Sequence, residues 1–142
     1  MTAVRQLIAD EAKVRMDTTD AAEVELMPSA DPVSYDAIHI FDGGQTIVEA
    51  EAGSTRYQLK LTIEGYFEEQ GGPATYAALN ARYAQVVSLM MTDPPMSGLA
   101  ETIDEGDMRI GVAALASKPR LYFSLDFDIG FLTSRTDPAQ AA

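Results

Sequence analysis

The stretch from Arg120 to Leu132 limits the folds open to this chain more than any other. Leu121, Phe123, Leu125, Phe127, Ile129 and Phe131 alternate with Tyr122, Ser124, Asp126, Asp128 and Gly130. A strict period of two is the signature of a strand whose successive side chains point to opposite faces. One face carries only large apolar groups and must be covered; the other is polar and tolerates water. Arg56 to Glu68 repeats the pattern, with Tyr57, Leu59, Leu61, Ile63 and Phe67 on one side. Gln58, Lys60, Thr62, Glu64 and Tyr66 fall on the other. Two long, half-buried strands call for a layer of something else on their apolar side.

Helical periodicity supplies that layer. Ala3 to Met16 reads as a helix capped by Thr2, with Leu7, Ile8, Ala12, Val14 and Met16 marking an apolar face. Gly71-Gly72-Pro73 opens a second helix, since proline is harmless in a first helical turn. Tyr76, Leu79, Tyr83, Val86, Val87 and Met90 then recur at steps of three and four, until Asp93-Pro94-Pro95 stops the helix. Shorter strands are expected at Glu23 to Leu26, Ala37 to Phe41 and Thr46 to Glu51. Asp42-Gly43-Gly44-Gln45 reads as a projecting hairpin turn and Gly53-Ser54-Thr55 as another. Leu99 to Ile103 and Met108 to Ala113 read as two strands around an acidic turn, Asp104 to Asp107. The end of the chain, from about residue 134, reads as a loose tail. The expected fold is α+β, one domain over 1–142, with a mainly antiparallel sheet and two helices packed on one face.

Charge narrows the function. The chain of 142 residues has 10 Lys and Arg against 22 Asp and Glu, a net −12. Up to Gly71 the balance is 5 basic against 14 acidic residues; from Gly72 onward it is 5 against 8. Such a surface repels phosphate backbones and anionic membranes. There is no cysteine and only one histidine, which excludes disulfides, thiolate metal sites and multi-histidine centres. The N-terminal residues meet acidic side chains at once, and no apolar run approaches a membrane span.

Individual residues carry little chemistry. His39 sits between Ile38 and Ile40, and its parity reads as a surface or interface side chain. Asp126 and Asp128 share a strand face about 7 Å apart, but no third ligand completes a cation site. Asp104, Glu105 and Asp107 lack the pattern of a calcium loop. Neither phosphate-loop glycine pattern nor a nucleophile elbow is present. The chain therefore reads as a non-enzyme without metal or cofactor. A rival reading is a small-ligand domain using Tyr57, Tyr83 or Asp126 in a cavity between sheet and helices. The open sheet face, with Lys60, Thr62, Tyr66, Tyr122 and Ser124, is a mixed surface of the kind found at interfaces.

Three further pieces of the layout belong together. Tyr76-Ala-Ala-Leu79 lies in a helix that leads through Asp93-Pro-Pro-Met-Ser-Gly98-Leu99 into more strands. The long alternating strand then ends in Thr133-Ser-Arg-Thr-Asp-Pro138. Over nearly its full length the chain resembles the tail terminator, or tail completion, proteins of long-tailed phages and phage-like particles. The resemblance implies a ring, typically hexameric, that caps the tail tube, ends its polymerisation and meets a head-closure or neck protein. It implies a virion component assembled in the host cytoplasm, with DNA passing through its lumen and no cofactor or membrane. A different neck component or a tube subunit is the alternative within such particles. A ring needs two unlike, complementary patches. Candidates are the hairpin Asp42, Gly43, Gly44 and Gln45 in the acidic half, and the cations Arg109, Lys118 and Arg120 in the second half.

Overall fold

A computed structural model describes residues 1–68, 72–115 and 118–142. The elements are α1 (Val4–Met16), β1 (Glu23–Leu26), β2 (Ala37–Ala50), β3 (Ser54–Tyr66), α2 (Pro73–Met90), β4 (Thr102–Leu115), β5 (Lys118–Ser134) and β6 (Asp137–Ala141). A short 3-10 turn, Pro95–Gly98, lies between α2 and β4. The two period-two segments become β3 and β5, and they pair antiparallel at the centre of one six-stranded sheet. The sheet order is β1-β2-β3-β5-β4, with β1 parallel to β2 and all other pairs antiparallel. The α+β expectation holds, with both helices on the apolar face.

The core forms where alternation and helical period meet. Leu59, Leu61 and Ile63 of β3 and Phe123, Leu125, Phe127 and Ile129 of β5 are fully buried. They pack with Ile8, Ala12 and Met16 of α1 and with Leu79, Val86 and Met90 of α2. Alanines at 9 and 12 let α1 sit close, so the buried face is narrow. Leu7 and Val14, expected on that face, lie outside it at 37% and 58% exposure. Thr2 does not cap α1; Ala3 occupies the cap position, with no side-chain hydrogen bond. Gly72 precedes α2 at φ 103°, a backbone setting that suits glycine, while Gly71 lies outside the described residues.

Three expectations need correction. Asp42 to Gln45 is not a hairpin turn. β2 runs straight through it, and Gly43 and Gly44 together oppose Lys60 of β3 as a bulge. Gly44 takes φ +99° and donates its N–H to Asp42 Oδ1 at 2.8 Å. An Asx-type bond and a positive φ satisfy a bulge as well as a turn, and the registers on either side keep the strand going. Asp104 to Asp107 is likewise inside one continuous strand, where Gly106 and Asp107 oppose Asp126. The tail is not loose: Thr133 pairs with Ala141 and Ser134 with Asp137, so β6 occupies the side of β5 that β4 leaves uncovered. No helix among the described residues is long and apolar enough to cross a membrane.

Candidate functional site

The strands are longer than the helices that cover them, and what they leave uncovered is the candidate site. At one end of the sheet, β2 and β3 continue as a hairpin closed by the Glu51 N–H donating to Ser54 O at 2.8 Å. Residues 46–53 are all exposed, with Ile47 at 67% and Val48 at 56%. Arg56 braces the base of this hairpin, donating to Glu101 at 2.8 Å and to Glu49 at 3.0 Å. At the opposite end, β5 begins four residues before its first pair with β3, Tyr122 with Tyr66. There the β4–β5 hairpin extends beyond the central pair from Val112, at 53% exposure, while Ile110, at 46%, lies on the β4 edge beside the last of the β3–β5 pairs. Branched apolar side chains cost free energy when left in water, about 25 cal/mol per Å² of apolar surface. Each end of the molecule therefore has a sticky tip.

Between the tips, the open sheet face is polar and internally paired. Arg109 clasps Asp126, donating at 3.1 and 3.2 Å, and reaches Ser124 Oγ at 2.9 Å. Thr62 donates to the same carboxylate at 2.8 Å. Hydrogen bonding from Arg109 outweighs partial burial, with help from Thr62, and keeps the Asp126 carboxyl below its ordinary range. Glu64 lies two residues along, its carboxyl pushed up by burial despite the hydrogen bond from Tyr66 at 3.1 Å. Burial, with the Glu64 charge beside it, also pushes the Tyr66 phenol up.

One end of this face is roofed by the segment 27–36. Its two ends, Met27 and Asp36, have left-handed backbone at φ 50° and 59°. Glu23 anchors it, one oxygen accepting from the N–H groups of Val33 and Ser34 at 3.1 Å. The other oxygen meets His39 Nε2 at 2.5 Å. Burial opposes the Glu23 carboxylate, yet the hydrogen bonds from His39, Ser34 and Val33 together hold its carboxyl below the ordinary value. His39 is thus a buried anchor at 2% exposure, flanked edge-on by Tyr66 and Phe41, and not the surface side chain expected. Its parity was right, but the roof covers it.

The proposed interface residues scatter. Asp42 and Gln45 are both engaged by Arg5 of α1, Gln45 at 3.2 Å. Gly43 lies against Lys60, and Gly44 holds the bulge. Lys118 donates to the Tyr35 hydroxyl at 2.8 Å while remaining exposed. Arg120 is not the interface cation expected: at 1% exposure it is sealed beneath the roof, donating to Ser34 O at 2.5 Å and lying over the Tyr35 ring. Asp42 to Gln45 lie on β2, Lys118 and Arg120 on β5 and Arg109 on β4, so β3 stands between the two groups. Ile47, Val48, Ile110 and Val112, exposed on the strands, are not among the interface residues the sequence points to. Their signal was present as apolar residues beyond the reach of either helical segment.

The small-ligand constellation does not assemble. Tyr57 stacks on Phe131 at 5.2 Å on the helix side, Tyr83 donates to Glu105 at 2.8 Å from α2, and Asp126 stands on the opposite face. An open cleft of about 1000 Å³ runs beside α2, lined by Ala74, Ala78, Arg82, Asp20 and Asp36 among others, and contains none of those three. Arg82, at 7% exposure, is held there by Asp20 at 2.8 Å and Asp36 at 2.9 Å. Among the described residues no group of three or more acidic or histidine side chains is placed to hold a metal ion. No family model matches this chain, and no curated protein matches it.

Proposed function

We propose that this protein is a structural component of a phage-like particle, a terminator that forms a ring on the tail tube, stops its growth and joins it to the neck. The observation that carries this reading is the pair of exposed apolar tips at opposite ends of one sheet. A molecule with two unlike sticky ends associates head to tail, and such contacts either close into rings or run on as filaments. The whole-chain resemblance to tail terminators, typically hexameric, favours closure. Six copies at −12 each would surround a central passage with a net negative field, which disfavours binding of a DNA phosphate backbone there.

Sedimentation velocity with negative-stain electron microscopy of the purified chain tests this. Closed rings of uniform size are expected. Filaments would replace the terminator by a tube subunit, and a monomer at every concentration would end the reading.

A further inference from the structure

A sheet edge is a row of unpaired N–H and C=O groups, and proteins blunt it with charge, proline, bulges or short length. β1 follows that practice: it has four residues, two of them glutamates. β4 follows it only in its first half, where Asp104, Glu105, Asp107 and Arg109 accompany the bulge. From Ile110 to Leu115 the sequence is Ile-Gly-Val-Ala-Ala-Leu, with no charge and no proline. Among the described residues its one strand partner is β5. The other flank of the sheet has a second such edge. β1 covers β2 only over Ala37 to Ile40, so Thr46 to Ala50 has β3 on one side and no strand, among the described residues, on the other.

The two edges match in direction, face and charge. β2, β3, β5 and β4 alternate in direction, so β4 and β2 run opposite ways. A second copy set beside β4 in the same orientation offers its β2 antiparallel. Ile110 and Val112 stand on the helix side of the sheet, by their pairing with Phe123 and Leu121. Ile47 stands on the same side, through Tyr57 and Phe131. Arg109 and Glu49 share the opposite face. The β2 tip carries Glu49 and Glu51, whereas Met108 to Leu115 with Lys118 carries only cations. Pairing β4 with another β4 would instead bring Arg109 and Lys118 of both copies together, which like charge disfavours.

We propose that the free edge of β4 over Ile110–Leu115 takes the free edge of β2 over Thr46–Ala50 of a second copy, so that the sheet runs from one protomer into the next. The inference rests on the ring reading and specifies its contact. Because the edges belong to opposite flanks, every copy uses one and offers the other, as a closed ring requires.

Lysine on an edge blocks pairing, and both test positions are exposed, so Val112→Lys and Ile47→Lys should melt like the parent. Sedimentation velocity should show rings for the parent and monomers for each variant. An equal mixture of the two variants should stop at a one-to-one dimer, since just one intact edge of each kind remains. A cross-link gives a second reading in this cysteine-free chain. Glu49→Cys with Arg109→Cys in one chain should give a ladder with a short bismaleimide, and either single variant should not. If the parent stays monomeric, the ring reading falls and takes this contact with it. If the parent forms rings and both lysine variants still form them, this contact falls while the ring reading stands. Loss of assembly with Val112→Lys while Ile47→Lys still assembles would mean β4 pairs with itself and would overturn the proposal.

Discussion

His39 bonds Glu23 and stands opposite Glu64 in the sheet, yet the surroundings of the two carboxyls drive them in opposite directions. Glu23 is held ionised by the ring and two backbone N–H groups, whereas burial dominates at Glu64. A carboxyl with a lowered folded value adds stability above its unfolded range and loses it as pH falls through the folded value. A raised one does the reverse and costs stability once pH climbs past its unfolded range. Thermal melts from neutral to acid pH should therefore separate two variants. Glu23→Gln should be less stable than the parent at neutral pH, with the gap closing in acid. Glu64→Gln should be the more stable partner at neutral pH, its advantage vanishing in acid. Parallel shifts at every pH would contradict the assignment. Gly65 sets a steric limit of another kind, since a Cβ there would come within 2.4 Å of the Phe123 ring. Gly65→Ala should cost about 1–3 kcal/mol in urea unfolding, as overpacking of a filled core does.

At the scale of elements, the two glycine-bearing insertions behave differently from turns, and the difference is measurable. Gly44→Ala forces a side chain into a left-handed setting and should cost about 1–2 kcal/mol. Gly43→Ala meets Lys60 only at 3.5 Å, ordinary contact, and should be near neutral. Equal losses at both would argue for a turn after all. Alternation over Arg56–Glu68 and Arg120–Leu132 made the central strands legible, because burial of one face leaves a period that no helix shares. The acidic glycine segments were misread because local chemistry is the same in a tight turn and in a bulge; only the partner strand decides. His39 and Arg120 were misplaced for a related reason. Their faces followed from parity, but the roof over them comes from residues 27–36, whose irregular path has no periodicity to read. The exposed tips needed the lengths of strands and helices to be compared, which boundaries alone do not supply.

At the scale of the whole molecule, charge and association make separate claims. A chain at −12 should not retard duplex DNA in a gel at low salt, where any electrostatic attraction would be strongest. A retarded band that fades with salt would show a basic surface created by assembly and would refute a repelling passage.

The insertions in β2 and β4 have one more consequence. They sit opposite Lys60 and Asp126, positions only two residues apart along the central pair, because Lys60 faces Asp128 and Thr62 faces Asp126. β2 and β4 thus each gain one residue at almost the same height while the middle pair gains none, and β2 gains another at Val48 nearer its tip. A bulge bends its strand and raises the local twist, so β2 and β4 are bent at nearly one height on either side of the central pair. Those bends help set the angle between the two margins, so if copies close into the proposed ring, deleting Gly43 or Gly106 should change the number of copies in it without touching a contact residue.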